Sequence, residues 1–233
     1  MILEKSSFVR GIWTVGSVSD GATIADPEVA RRFEGCDVVE YRVDCWPDEV
    51  ERAAEVMAAA AVPALLTVRA AAEGGRNGLT TARREEMFRR LLPVAALVDI
   101  EIACMAEFAG VVAEAKERGV LVVGSSHDFE RTPPREELVE RIGVACAAGA
   151  DIVKFAAVAG TAADLAVLAS LLEEPGHPPL SVMGMGVLGR VSRLLLAQLG
   201  SVLNYGYIDN ATVSGQWSGS RLRTLIGEIR AAG

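Results

Sequence analysis

The sequence contains few residues of the kinds that bind metals or form disulfides. Its 233 residues include two histidines and four cysteines. No CxxC pair occurs, because the cysteines stand far apart, at Cys36, Cys45, Cys104 and Cys146. This spacing argues against zinc knuckles and redox motifs and predicts free thiols in apolar surroundings. With histidines this scarce, a catalytic metal is not predicted either.

Long hydrophobic runs and an excess of positive charge are also lacking. No stretch reaches the roughly 18 uninterrupted apolar residues of a membrane helix, and the first residues, MILEKSSFVRGIW, contain no secretory apolar run. A formal net charge of −8 argues against nucleic acid or an anionic membrane as the main partner. We therefore expect a cytoplasmic protein. A small anionic substrate remains compatible with this charge, because a few arginines inside a cleft act at close range.

Short β-branched runs alternate with longer stretches rich in alanine, leucine, glutamate and arginine along the chain. Such alternation is typical of parallel strands joined by helices. The predicted strands span residues 11–15, 38–43, 64–68, 96–101, 120–124, 152–155, 180–183 and 201–205. The clearest helical patterns span residues 47–61, 82–91, 107–118, 134–147, 162–172 and 191–199.

Eight strand–helix units favour an α/β fold with one closed (β/α)8 TIM barrel over residues 1–233. Single barrels commonly run to about 200–250 residues, and no linker or low-complexity segment divides this chain. An open doubly wound sheet is the alternative. Its usual GxGxxG fingerprint after the first strand is missing.

A barrel places its active site at the C-terminal ends of its strands, and polar residues collect at those positions. They occupy residues 40–44 at the end of predicted strand two, 67–69 at the end of strand three with residue 73 in its loop, 125–128 after strand five, and the loop ending at Gln216 after strand eight. Strand six carries Lys154, and strand seven leads into residues 183–185. Alternation along strand two directs Glu40, Arg42 and Asp44 to one side, an arrangement that suits the hydroxyls of a polyol ring. A structural network of ion pairs among the charged members of this set is the alternative.

Lysine is scarce, and one of the three lysines stands in an unusual place. Lys5 is near the N-terminus and Lys116 lies on a polar helical face, but Lys154 lies inside the apolar predicted strand DIVKFA. Lysine is rarely buried without a partner or a purpose. Desolvation and neighbouring cations favour the neutral amine, which is the nucleophilic form. Lys154 is thus a predicted nucleophile; the alternative is a buried ion pair with Asp99 or Glu101.

The two histidines differ in their surroundings. His177 lies in the turn sequence EPGHPP, whereas His127 follows an apolar strand and two serines at a predicted C-terminal strand end. Histidine titrates in the range that proton transfer at neutral pH requires. Next to the strand that carries Lys154, His127 is predicted to be a general acid–base rather than a satisfied core or loop residue.

A glycine-rich segment, MGMGVLGRVSR at residues 183–193, opens a predicted helix. Glycine-rich turns at helix N-termini bind anions, commonly phosphate in barrels. Glycines needed only for backbone geometry are the alternative explanation. Arg193 lies about one turn into this helix and offers a planar cation that suits a carboxylate.

Taken in order, these segments resemble the type I 3-dehydroquinate dehydratases of the shikimate pathway over almost the whole chain. The matching motifs are Glu40-x-Arg42-x-Asp44, Thr67-x-Arg69-x-x-x-Glu73-Gly-Gly, Ser125-Ser-His127-Asp-Phe with Thr132-Pro, Lys154 at 27 residues after His127, Met183-Gly-Met-Gly with Ser192-Arg193, and Gly215-Gln216. The last loop departs from the family's Ser-Ala-Pro-Gly-Gln, because this chain has Thr212-Val-Ser-Gly-Gln216. Without that proline the open loop is expected to be more mobile.

The resemblance implies a lyase that removes water from 3-dehydroquinate through a Schiff base on Lys154, with His127 as the acid–base group and Glu73 orienting it. Arg193 is then expected to hold the substrate carboxylate. The remaining binding residues implied are Glu40, Arg42 and Arg69 at the ring hydroxyls, and Thr212 and Gln216 on the closing loop. The resemblance further implies a homodimer that needs no cofactor or metal. The alternatives are a Schiff-base aldolase with a phosphate at the glycine-rich turn, and a barrel that binds without catalysis.

Overall fold

The computed structural model describes residues 11–26, 33, 35–173, 176 and 178–231. Lys5 and His177 lie outside the described residues. Within these ranges, eight parallel strands form one sheet in the order β7-β6-β5-β4-β3-β2-β1-β8. The strands are β1 (Trp13–Val18), β2 (Val38–Arg42), β3 (Ala64–Thr67), β4 (Leu97–Glu101), β5 (Leu121–Asp128), β6 (Ile152–Val158), β7 (Leu180–Met185) and β8 (Leu203–Tyr207).

The sheet curls until its two ends meet. β8 pairs with β1 along five registered residues. At the remaining seam, the backbone N–H of Val202 donates to Leu180 O at 2.9 Å and the Ser181 hydroxyl donates to Leu203 O at 2.6 Å. The eight strands therefore form a nearly closed barrel, which confirms the predicted (β/α)8 TIM barrel and excludes the open sheet.

Helices cover the outside of this barrel. They are α1 (Gly21–Ala25), α2 (Val50–Ala59), α3 (Thr81–Leu91), α4 (Ala109–Glu117), α5 (Arg135–Ala147), α6 (Ala162–Ser170), α7 (Gly189–Gln198) and α8 (Gly219–Ala231). Capping side chains set some of the boundaries: Thr161 and Asp164 form a capping box at the start of α6. No helix in the described ranges is long and apolar enough to cross a membrane.

The side chains inside the barrel form an apolar layer and, two residues further along the strands, a polar layer. Its lower layer is apolar and includes Val15, Val38, Leu65, Leu97 and Ile152. Side chains two residues further along a strand face the same side. Those positions hold Ser17, Glu40, Thr67, Asp99 and Lys154, all buried. The apolar layer closes the bottom of the barrel, and the polar layer forms the floor of a site at the C-terminal strand ends.

One predicted feature of strand two is wrong. β2 ends at Arg42 and a 3-10 turn covers Val43–Cys45, so the alternation that was to place Asp44 beside Glu40 stops two residues early. Asp44 instead accepts hydrogen bonds from Nε and Nη2 of Arg42, at 2.9 and 2.8 Å. Asp44 is fully buried, and its carboxylate holds the guanidinium of Arg42 through these two bonds.

Candidate active site

A cavity of about 170 Å³ opens at the C-terminal ends of the strands. All nine predicted site residues line it: Glu40, Arg42, Arg69, Glu73, His127, Lys154, Arg193, Thr212 and Gln216. The cavity also contains residues that the sequence did not single out, among them Ser17 and Tyr205. These additional residues carry no ionic charge at neutral pH, and only their two-residue spacing along inward-facing strands would have identified them.

Lys154 projects from the middle of β6 and is 3% exposed. Its Nζ donates to Oδ2 of Asp99 at 2.9 Å and lies 3.9 Å from Oε1 of Glu40. The buried ion pair that was the alternative for this lysine is therefore present. The same contact holds Nζ at the cavity wall, so the pairing and a chemical use of the amine are compatible.

A chain of buried charges extends from Lys154 to Arg84 of helix α3. Asp99 pairs with Arg69 Nη2 at 3.0 Å, and Arg69 Nη1 pairs with Glu101 Oε1 at 3.1 Å. Arg84 of α3 then bonds to the other oxygen of Glu101. Burial alone would raise the pKa of Asp99, but the charges of Arg69 and Lys154 outweigh it and hold that pKa far below its ordinary value. Asp99 is consequently a permanent carboxylate that holds Lys154 in place and cannot serve as a base near neutral pH.

His127 and Glu73 form a second, partly buried pair, and His127 lies on β5, the strand next to the one that carries Lys154. Nδ1 of His127 lies 2.8 Å from Oε2 of Glu73, and the backbone N–H of His127 donates to the same oxygen at 2.9 Å. Burial, followed by the charges of Arg69 and Lys154, holds the pKa of His127 well below its ordinary value. Burial raises the pKa of Glu73 to about 7, although Arg69 opposes the shift. The imidazole is therefore neutral at physiological pH, and with an ionised Glu73 holding the Nδ1 hydrogen, Nε2 is the basic nitrogen.

Glu40 and Arg42 reach the cavity from β2 with protein partners already in place. Glu40 accepts from the hydroxyls of Ser17 and Thr67, the latter at 2.9 Å. Arg42 adds a bond to Gly74 O at 3.2 Å to its two bonds with Asp44. Both side chains are thus held in fixed positions along one wall of the cavity, as groups that bind a polyol need to be.

Arg193 differs from Arg42 and Arg69 because two of its nitrogens form no hydrogen bond to the described residues. It lies in α7, is 2% exposed, and its Nε and Nη1 have no hydrogen-bond partner among the described residues. Burial lowers its pKa to about 10, which still leaves the guanidinium charged at neutral pH. A buried cation without a counterion is costly, so this position is suited to an anion supplied by a ligand.

The glycine-rich turn positions this arginine. The Ser192 hydroxyl accepts from the backbone N–H of Gly184 at 2.9 Å, and a Cβ at Gly184 would stand 2.8 Å from that hydroxyl oxygen. Gly186 adopts a positive φ of 77°. The backbone-geometry explanation of these two glycines is thereby supported, because they let α7 approach β7 closely enough to present Arg193.

The last loop lies across the cavity. The backbone N–H of Thr212 donates to Gln216 Oε1 at 2.8 Å, and the N–H of Gly186 donates to Ser214 O at 3.3 Å. The first bond joins two residues of the loop, and the second joins the loop to the glycine-rich turn. Thr212 and Gln216 therefore stand beside the turn that carries Arg193.

A closed parallel barrel whose polar cavity lies at the strand ends has the architecture of a TIM-barrel enzyme. Comparison with known proteins identifies the enzyme family. The model of the type I 3-dehydroquinase family matches residues 22–231. The 3-dehydroquinate dehydratase of Salmonella typhimurium is 32% identical over 223 residues, which cover 88% of this chain and 88% of that protein.

Solved structures agree with these matches. The 3-dehydroquinate dehydratase of Geobacillus kaustophilus superposes with a TM-score of 0.83 at 27% identity, over 94% of this chain and 91% of that one. The enzyme of Enterococcus faecalis gives a TM-score of 0.82 at 27% identity, over 98% and 99%. The chain belongs to the type I 3-dehydroquinase family, as the motifs predicted.

Proposed function

We propose that the protein converts 3-dehydroquinate to 3-dehydroshikimate by eliminating water through an imine on Lys154. The observation that carries this proposal is that Lys154, a buried amine, and Arg193, a buried guanidinium with unused donors, line one cavity. An amine suits the ketone of this substrate and a guanidinium suits its carboxylate. Family membership favours this reaction over the aldolase alternative.

The chemistry begins at the ketone. Lys154 attacks C3, a molecule of water leaves, and the resulting iminium withdraws electrons from the neighbouring C2–H bond. His127 accepts the C2 proton at Nε2, which gives an enamine. The enamine then expels the C1 hydroxyl, which takes a proton from His127 and departs as water. Hydrolysis of the conjugated iminium releases 3-dehydroshikimate and restores the amine.

The other residues bind and orient the substrate. Arg193 pairs with the C1 carboxylate, while Glu40, Arg42 and Arg69 form the wall that faces the ring hydroxyls. Arg69 uses Nη1 and Nη2 on Asp99, Glu101 and Ser125, so its main effect is to set the charge and position of that wall. Thr212 and Gln216 close over the substrate from the last loop.

Trapping of the imine tests the reaction directly. After incubation with 3-dehydroquinate and sodium borohydride, intact mass spectrometry should show one covalent adduct per chain. Peptide mapping should place it on Lys154. Lys116 is the internal control, because its ammonium pairs with Asp151 outside the cavity. Absence of both the adduct and the enone absorbance of the product would refute the proposal.

Replacement of Arg193 separates binding from chemistry. We expect Arg193→Met to raise KM for 3-dehydroquinate by about 30-fold or more, because a buried charge pair to the substrate is lost. The same change should raise the thermal unfolding temperature of the free protein, because it removes a buried cation that has no partner at Nε or Nη1. Steady-state kinetics and thermal melts measure the two effects.

Arg190 provides the matched control for this experiment. It lies on the same helix, is exposed, and stacks on Trp217 with its guanidinium carbon 4.9 Å from the ring centroid. Arg190→Met should leave KM unchanged. An unchanged KM in Arg193→Met as well would contradict the assignment of the carboxylate to Arg193.

Three finer expectations from the sequence stay predictions: a cytoplasmic location, a homodimer, and a single catalytic domain over residues 1–233. They follow from the family resemblance and the composition of the chain, and the reaction as written requires no metal or cofactor.

A further inference from the structure

Tyr205 lines the cavity, but neither the sequence motifs nor the reaction scheme gives it a role. It lies on β8, paired with Val15 of β1, and is 3% exposed. The face of its ring covers the reactive lysine, with Lys154 Nζ 4.1 Å from the ring centroid. At that distance the negative face of an aromatic ring attracts a cation, and the attraction is strongest where water is excluded.

The hydroxyl of Tyr205 is buried and has no hydrogen-bond partner among the described residues. Burial, with the carboxylates of Glu40 and Asp99, raises its pKa well above the ordinary value. The phenol is therefore protonated at any physiological pH and has one hydrogen to donate. A buried hydroxyl normally finds a partner, so a ligand oxygen is the acceptor that this position lacks.

Tyr41 shows which part of this observation is informative. Its hydroxyl is also buried and without a partner among the described residues. Tyr41, however, faces the outer side of β2, where it packs against Phe33 in the layer between sheet and helices. Of these two tyrosines, Tyr205 is the one that combines an unused donor with a place on the cavity wall and a contact with Lys154.

We infer that Tyr205 is a further catalytic residue of this site: its ring face stabilises the cationic imine on Lys154, and its hydroxyl donates a hydrogen bond to a substrate oxygen next to the imine carbon. The inference rests on the proposed function. Because the ring centroid lies 4.1 Å from Nζ, we place its hydroxyl near the substituents around the carbon that Nζ attacks. In 3-dehydroquinate these include the hydroxyl on the adjacent ring carbon C4.

Two substitutions separate the hydroxyl from the ring. Tyr205→Phe keeps the ring, so we expect KM to rise about 3- to 10-fold with kcat within about 2-fold of the native value. Its unfolding temperature should not fall, because no bond within the free protein is lost. Tyr205→Leu removes the ring as well and should slow the appearance of the borohydride-trapped adduct by about 10-fold. Tyr41→Phe is the matched control and should leave KM unchanged.

The outcomes are distinguishable. If the native protein gives neither turnover nor adduct, the proposed function fails and the role of Tyr205 fails with it. If the native protein is active and Tyr205→Phe matches it in KM, only the role of the hydroxyl is overturned. A fall in unfolding temperature of Tyr205→Phe that accompanies a loss of activity would show a structural role instead. Should Tyr205→Leu not fold, Tyr205→Phe still decides the role of the hydroxyl, and Tyr205→Met replaces Tyr205→Leu as the test of the ring.

Discussion

Replacing Lys154 with alanine should reduce turnover of 3-dehydroquinate by at least about 10⁴-fold and abolish the borohydride adduct. The physical reason is that no other amine lines the cavity: among the described residues that line it, the remaining cationic side chains are arginines. Arginine is charged at neutral pH and does not form imines under these conditions. Enone absorbance at matched protein concentration measures the loss.

The fold should survive this change, so the result can be interpreted. Asp99, which loses Lys154, keeps its pair with Arg69 at 3.0 Å and its bond from the Ser125 hydroxyl at 2.6 Å. The buried carboxylate is therefore still compensated, and circular dichroism should match that of the native protein. Lys116→Ala serves as the control because this lysine is 39% exposed in its side chain and lies outside the cavity. Turnover by Lys154→Ala within about 10-fold of native would overturn covalent catalysis by this lysine.

The fold was predictable from the sequence because the strand period and the helix period are both visible. Each predicted strand and helix has a counterpart, with ends that shift by a few residues. The shifts have local causes. Predicted strand eight starts at residue 201, but β8 starts at Leu203, because the N–H of Ser201 donates to Leu196 O at 2.9 Å and so ends the turn that follows α7.

The helix α8 is missing from the predicted set for a different reason. Glycine weakens a helical pattern, and this helix begins at Gly219 and contains Gly227. Tertiary contact compensates: Leu222 and Ile226 are buried against Ala197 of α7. A packing contact between distant segments of the chain cannot be identified from local periodicity, so this helix was not predicted.

The site was predictable where its residues are charged and not where they are neutral. Lys154, His127 and Arg193 were recognisable because each is an unusual residue type in its surroundings. Ser17 and Tyr205 have no such signal, because a hydroxyl on an inward-facing strand position is common. Their place in the cavity depends on β1 and β8 meeting across the closed barrel, a contact between the two ends of the chain.

The ion-pair partners of the charged residues could not be predicted from the sequence either. The sequence allowed a buried ion pair or a nucleophile for Lys154, and the structure contains the pair with Asp99 within a cavity suited to the nucleophile. The two interpretations are physically compatible, because the carboxylate of Asp99 compensates the buried ammonium and holds it at the cavity wall.

Replacing His127 with alanine should lower kcat by about 10²–10⁴-fold while the imine still forms. The iminium depends on Lys154, whereas loss of the C2 proton and departure of the C1 hydroxyl depend on the imidazole. Borohydride should therefore trap a larger fraction of the variant than of the native protein during turnover, and mass spectrometry measures that fraction. Rapid turnover by His127→Ala would show that another group moves the proton.

The dependence on pH should report Glu73 rather than His127. The pKa of His127 lies well below its ordinary value because of burial and the nearby cations, so the imidazole stays neutral throughout the neutral range. Burial raises the pKa of Glu73 to about 7. Above that pH the carboxylate accepts the Nδ1 hydrogen and Nε2 is basic; below it the carboxyl is protonated and this tautomer loses its support. We therefore expect kcat/KM to fall as the pH drops through about 7.

Glu73→Gln distinguishes the two assignments, because glutamine has the same shape and does not titrate. Its kcat/KM should be lower than native at pH 8 and should no longer fall as the pH drops through 7, since the group responsible is gone. Any fall that remains should occur at lower pH, where the imidazole itself takes up a proton. If the decline near pH 7 persists in Glu73→Gln, it belongs to His127, and the imidazole is more basic than its burial and the charges of Arg69 and Lys154 imply.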